Sequence, residues 1–118
     1  MVFKYLEEGS RDFSFEDKKF KAKYYIELIK RLKLMETFDE HTFRFKLQDG
    51  YYRCHPINWN KSTKKKGFDH LANQICSDDC YQFSTGFKKG RVHGFLIGNI
   101  YHIVWIDFNH NLCPSKNR

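Results

Sequence analysis

Three side chains in this 118-residue sequence stand at a spacing that could do chemistry on a phosphodiester. Arg91, His93 and His102 lie in the runs Arg91-Val-His-Gly-Phe-Leu-Ile97 and Ile100-Tyr-His-Ile-Val-Trp-Ile-Asp107, which flank Gly98-Asn99. Cleavage of RNA by transfer to the 2′-hydroxyl needs a base for that hydroxyl, an acid for the leaving oxygen and a cation for the phosphorane-like transition state. Histidine titrates near neutrality and suits the first two roles; arginine suits the third through charge-assisted bonds. The candidate catalytic set is therefore Arg91, His93 and His102, with His110 near the chain end, and Arg53 and His55 able to join them. A plainer reading stands beside it. A strand histidine next to Phe95 and Ile97 is equally a hydrogen-bonded structural residue, and Arg91 equally the partner of an acid such as Asp107 or Asp12.

These residues must be held by a hairpin. Two apolar runs rich in β-branched and aromatic residues around a two-residue Gly-Asn step predict one. With that loop, Ile97 opposes Ile100, Phe95 opposes His102, His93 opposes Val104 and Arg91 opposes Ile106. Arg91, His93 and His102 then share a face with Phe95, Ile97, Val104 and Ile106. The opposite face, Val92, Gly94, Leu96, Tyr101, Ile103 and Trp105, is assigned to the core. A one-residue slip would undo this sorting.

Upstream, Phe20, Tyr24, Leu28, Leu32 and Met35 recur at helical spacing between about Glu16 and Glu36, with Tyr25 and Ile29 widening the stripe. Ser14-Phe-Glu-Asp17 supplies a capping signature for its start. One or two short strands are expected within residues 1 to 15, and strands at Phe43–Leu47 and within Tyr51–Ile57 joined by an Asp49-Gly50 turn, with a helix through residues 38 to 47 as the alternative to the first of these. Residues 68 to 76 read as a short helix and Cys80–Ser84 as a strand. The expected architecture is a single α+β domain over residues 1–118. An antiparallel sheet ends in a C-terminal hairpin or meander, with one long amphipathic helix and one short helix packed on one face. Residues 61–67 form a basic loop and 113–118 an irregular basic tail.

Composition narrows the partners. Lys and Arg number 21 against 14 Asp and Glu, a net charge of +7, which favours RNA or another polyanion, with an acidic protein as the other class of partner. Lys61, Lys64, Lys65 and Lys66 with Arg53 are candidate phosphate contacts, and Tyr51, Tyr52 and Trp59 candidate platforms for bases. The same lysines also fit a solvated loop. Four cysteines without paired Cys-x2-Cys motifs read as small buried residues and not as zinc ligands. Walker and dinucleotide loops and a serine nucleophile elbow are absent, which argues against ATP, NAD and serine-hydrolase chemistry and for no cofactor. No apolar run is long enough for a membrane span and no secretory signal opens the chain, so a cytoplasmic protein with reduced thiols is expected.

The order strand, long basic helix, second helix, then a meander whose middle strand opens on Arg91 resembles the RelE/ParE superfamily of small basic bacterial toxins. That resemblance implies helices on one sheet face and an open basic cleft on the other. For the ribonuclease branch it implies messenger-RNA cleavage and neutralisation by an antitoxin peptide. Arg91 would take the place of the family's strand arginine and His110 that of a histidine near the chain end. The sequence departs from the family in a segment at about 38–67 between the helices and in its ending Asn109-His-Asn-Leu-Cys-Pro114. Gly90-Arg-Val-His-Gly94 with Trp105-Ile-Asp-Phe-Asn-His110 is also similar to small uncharacterised bacterial or mobile-element proteins. The alternative function is accordingly a binding protein without catalysis, a nucleic-acid accessory factor or a mobile-element inhibitor of a host complex.

Overall fold

The computed structural model describes residues 1–8, 13, 15–71, 75 and 77–113. Its frame is one antiparallel sheet with strands in chain order, β1 (His55–Pro56), β2 (Cys80–Ser84), β3 (Arg91–Ile97) and β4 (Ile100–Asp107). Helices α1 (Ala22–Met35) and α2 (Glu40–Phe45) precede it, which makes the fold α+β with a C-terminal meander. Leu28, Leu32 and Met35 of α1 and Phe43 of α2 share one buried cluster with Tyr81, Phe83, Val92, Leu96, Tyr101, Ile103 and Ile106. Both helices thus cover the same sheet face.

The Gly98-Asn99 hairpin forms, with Gly98 at φ 61°, and Ile97 faces Ile100 as Phe95 faces His102. Beyond that the register shifts. A bulge at His93/Gly94 pairs Gly94 with Ile103 and His93 with Trp105, so Arg91 lies opposite Asp107 and not Ile106. Val104 and Trp105, adjacent in sequence, both join the second face, while Ile106 turns to the helices, as the extra residue of a bulge requires. The expected sides of Trp105 and Ile106 are therefore exchanged. Gly94 permits the arrangement: a Cβ there would sit 2.1 Å from the His102 carbonyl oxygen and 2.8 Å from the Tyr101 ring. Tyr101 lies across this gap and donates its hydroxyl to the Tyr81 carbonyl at 2.6 Å, on the strand beyond.

Several local expectations are corrected. The strand expected at Phe43–Leu47 is α2 and its end: Asp39 caps it by accepting the Thr42 N–H at 2.8 Å. Phe43 and Leu47, four apart, are buried while Phe45 is 57% exposed, so helical spacing prevails over alternation. This helix is a short one; of residues 68 to 76, expected as a short helix, 68–71 form turns, and 72–74 and 76 lie outside the described residues. No hairpin follows from Asp49-Gly50, since only His55 and Pro56 of that run pair, with Gln82 and Tyr81. Helix α1 starts at Ala22 because Asp17 closes a turn of its own, accepting Lys19 N–H at its carboxylate and Phe20 N–H at its carbonyl, both at 3.0 Å. Ile29, expected within the buried stripe, is 64% exposed. Of the first expected strand only Val2 pairs, in a parallel bridge to His102; Asp12 and Ser14 lie outside the described residues.

The second sheet face is also covered. Phe13, Ile57, Phe68, Cys80, Phe95, Val104, Trp105 and Leu112 form a second buried cluster, with Phe13 stacked on Trp105 at 4.5 Å and Phe68 5.1 Å from it. Where the family resemblance implies an open cleft, this chain places an apolar layer.

Candidate functional site

The centre of the second face is a buried pair. His93 has no exposed surface, and its Nε2 lies 3.1 Å from Asp107 Oδ2. The same carboxylate accepts the Asn111 N–H at Oδ1 and the Leu112 N–H at Oδ2, both at 2.9 Å, and the Asp107 carbonyl accepts the His110 N–H at 3.2 Å. Burial works against ionisation of Asp107, but the His93 bond and these backbone donors outweigh it and hold its pKa below the usual value. Burial keeps His93 neutral, its pKa lowered despite the neighbouring carboxylate. A neutral ring donating from Nε2 leaves Nδ1 as an acceptor, and Nδ1 is buried without a hydrogen-bond partner.

The other predicted catalytic residues lie around this pair, and the charge of Arg91 reaches His93 and helps to lower its pKa. Arg91 shares its face and is 8% exposed, with Nη1 donating to the carbonyls of Gly90 at 2.9 Å and Lys89 at 3.3 Å. His102 stacks on Phe95 at 5.0 Å and lies 5.7 Å from the Tyr5 ring. Its pKa is lowered by burial and by the charges of Lys4 and the amino terminus, and its buried Nδ1 has no hydrogen-bond partner, so no bond at that atom joins it to His93. His110 sits half-buried in the turn wrapped by Asp107, at φ 58°. His55 faces Gln82 across β1 and β2, and Gln82 faces His93, which forms a polar row over three strands. Arg53 is exposed at φ 50°.

Beside this sealed face lies a cavity of about 550 Å³. Asn58, Trp59, Asn60, Lys65, Lys66 and Phe68 line it, with the acids Asp69 and Asp78 also on its walls. Trp59 opens a short 3-10 turn (Trp59–Lys61), and the Ser62 hydroxyl donates to the Trp59 carbonyl at 2.8 Å while accepting the Lys64 N–H at 3.2 Å. The lysine turn closes onto the indole because Gly67 has no side chain: a Cβ there would be 3.1 Å from the Trp59 ring. Thr63 ties the loop to the C-terminal segment, its N–H donating to Leu112 O at 2.8 Å and its hydroxyl to Asn111 O at 3.1 Å.

The predicted binding residues divide between two places. Trp59, Lys65 and Lys66 meet at this cavity, and Lys61 stays exposed outside it. The Lys64 ammonium lies 5.9 Å from the Phe13 ring. Tyr51 and Tyr52 stand at Arg31 of α1, with Tyr52 packed on Phe38 at 5.3 Å. Sequence reasoning missed the bond of Asp107 to His93, which exists only in the bulged register, and Asn58 and Asn60, whose signal was their position on either side of Trp59.

Cys54 and Cys80 are buried, and burial pushes the Cys54 thiol up to about 12, which suits packing and not nucleophilic attack. Cys76 lies outside the described residues. Among the described residues no group of three His, Cys, Asp or Glu could hold a metal ion, and no helix is long and apolar enough to cross a membrane. No protein-family model, curated protein or solved structure matches the chain.

Proposed function

We propose that the protein binds single-stranded RNA, with the Trp59 cavity receiving a base and Lys65 and Lys66 taking the phosphates beside it. The observation that carries this is the composition of the cavity wall: an indole between two asparagines, next to two exposed lysines. An aromatic face stacks on any base, with about 1–3 kcal/mol per base at such platforms. Asparagine amides can donate to and accept from base edges. The lysines act through salt-sensitive phosphate attraction, supported at long range by the net charge of +7. Asp69 and Asp78 would repel phosphate but can accept from exocyclic amines, which orients the base inward and the backbone toward Lys65 and Lys66.

In this reading His93 and Asp107 are structural. The endoribonuclease reading, with mRNA as substrate and an antitoxin as partner, requires the apolar layer over His93 to part before RNA reaches it. Fluorescence anisotropy with a labelled single-stranded RNA tests the proposal, with RNA integrity followed in the same samples. Trp59→Ala is expected to weaken binding about fivefold or more and to leave the RNA uncut. Unchanged affinity would remove the cavity from the interface. Cleavage abolished by His93→Gln would replace the proposal with the endoribonuclease.

A further inference from the structure

A second cavity, of about 340 Å³, lies on the helix side of the sheet, with Arg31 of α1 in its wall. Arg31 is 3% exposed. Its Nη1 donates to the Tyr51 carbonyl at 2.8 Å, and its guanidinium carbon lies 4.2 Å from the Tyr51 ring centroid and 5.2 Å from that of Tyr52. Among the described residues no carboxylate pairs with it. The one acid among the described residues of the cavity wall, Glu27, is already engaged by Lys23 at 2.9 Å and Lys30 at 3.7 Å. A buried guanidinium with ring faces and one carbonyl, but no counter-charge, is incompletely compensated.

The rest of the wall suggests what completes it. Lys30 and Lys33 are exposed, Leu34 follows on the same helix and Thr37 in the turn after it, and Tyr51 is 68% exposed. Three cations against one carboxylate favour a doubly charged group, and the guanidinium fork matches phosphate oxygens. We infer that this groove binds a phosphate monoester carried on a small planar body, of which a nucleoside monophosphate is the simplest example. The phosphate sits on Arg31 and Lys33, and the planar body lies along Leu34 and the ring of Tyr51. The volume falls in the range of small-molecule sites. This inference does not depend on the RNA proposal, which concerns the opposite sheet face.

Titration of the 15N-labelled protein with AMP, inorganic phosphate and adenosine, followed by backbone amide shifts, tests it. AMP is expected to give saturable shifts at Thr37 and Gly86, phosphate weaker ones at the same amides, and adenosine none. Arg31→Met should abolish the AMP shifts. Should that variant fail to fold, the surface changes Lys33→Gln and Tyr51→Ala keep the test readable, each weakening AMP about fivefold or more. Trp59→Ala should leave AMP binding at this groove unchanged. The inference is overturned by AMP shifts confined to Asn60 and Gly67, by adenosine binding as tightly as AMP, or by full AMP affinity in Lys33→Gln and Tyr51→Ala.

Discussion

His93 Nε2 donates to Asp107 Oδ2 at 3.1 Å across the bulged end of β3 and β4, in a site from which solvent is excluded. The carboxylate that receives it also holds the Asn111 and Leu112 amides, and the carbonyls of those two residues hold Thr63 at the base of the lysine loop. One buried acid thereby links the sheet, the C-terminal turn and the basic loop. A histidine and an aspartate at this distance resemble half of a catalytic triad, but here every strong bond of the carboxylate goes to holding the fold.

Asp107→Ala leaves three donors without their acceptor, of which His93 Nε2 and the Leu112 N–H are buried and the Asn111 N–H only partly so, at about 2–4 kcal/mol in all. Urea unfolding should show a lowered midpoint with little change in slope. A loss below 1 kcal/mol would mean that water or another group already satisfies those donors.

Acid should destabilise the protein in two stages. Below 6.5, the ordinary value for histidine, the unfolded chain takes up a proton at His93 that the fold refuses, because burial depresses the folded value. The unfolded state then binds more protons and stability falls with falling pH, until the folded His93 titrates as well. His102, shifted the same way, adds to this stage. Asp107, also depressed, adds a second loss below 3.8. His93→Gln keeps a donor toward Asp107 but cannot titrate, so its melting temperature should fall less steeply between pH 7.5 and 5. Equal slopes in the two proteins would show that His93 does not carry the first stage.

Gly94→Ala places a methyl group against the His102 carbonyl and the Tyr101 ring, and a cost of about 3 kcal/mol or more is expected. Gly98→Ala, where nothing lies within 4 Å but φ is 61°, should cost only about 1 kcal/mol. Thermal melts of the two variants compare a clash with a backbone strain, and equal losses would contradict the close packing of Tyr101 over Gly94.

Much of this fold was legible in the residues. Gly98-Asn99 marked the hairpin, and the spacing of Leu28, Leu32 and Met35 marked the buried stripe of α1. The bulge was not legible, because alternation shows a period and cannot show that the Tyr101 ring needs a position without a side chain. That single slip sends Trp105 to the second face and sets Asp107 opposite Arg91. At α2 and just past its end, Phe43, Phe45 and Leu47 alternate as a strand would, whereas Asp39 with Thr42 carried the opposing cap signal. The shared face of Arg91, His93 and His102 was readable, but its burial was not, since Phe13, Phe68 and Leu112 cover it from distant parts of the chain.

The most direct test of the central claim is the salt dependence of single-stranded RNA binding by the wild-type protein and by Lys65→Gln/Lys66→Gln. If those two lysines contact phosphates at the Trp59 cavity, the double variant binds more weakly and the slope of log affinity against log salt becomes shallower by about 1.4. An unchanged slope, with RNA still bound, would contradict the placement of the RNA backbone at Lys65 and Lys66.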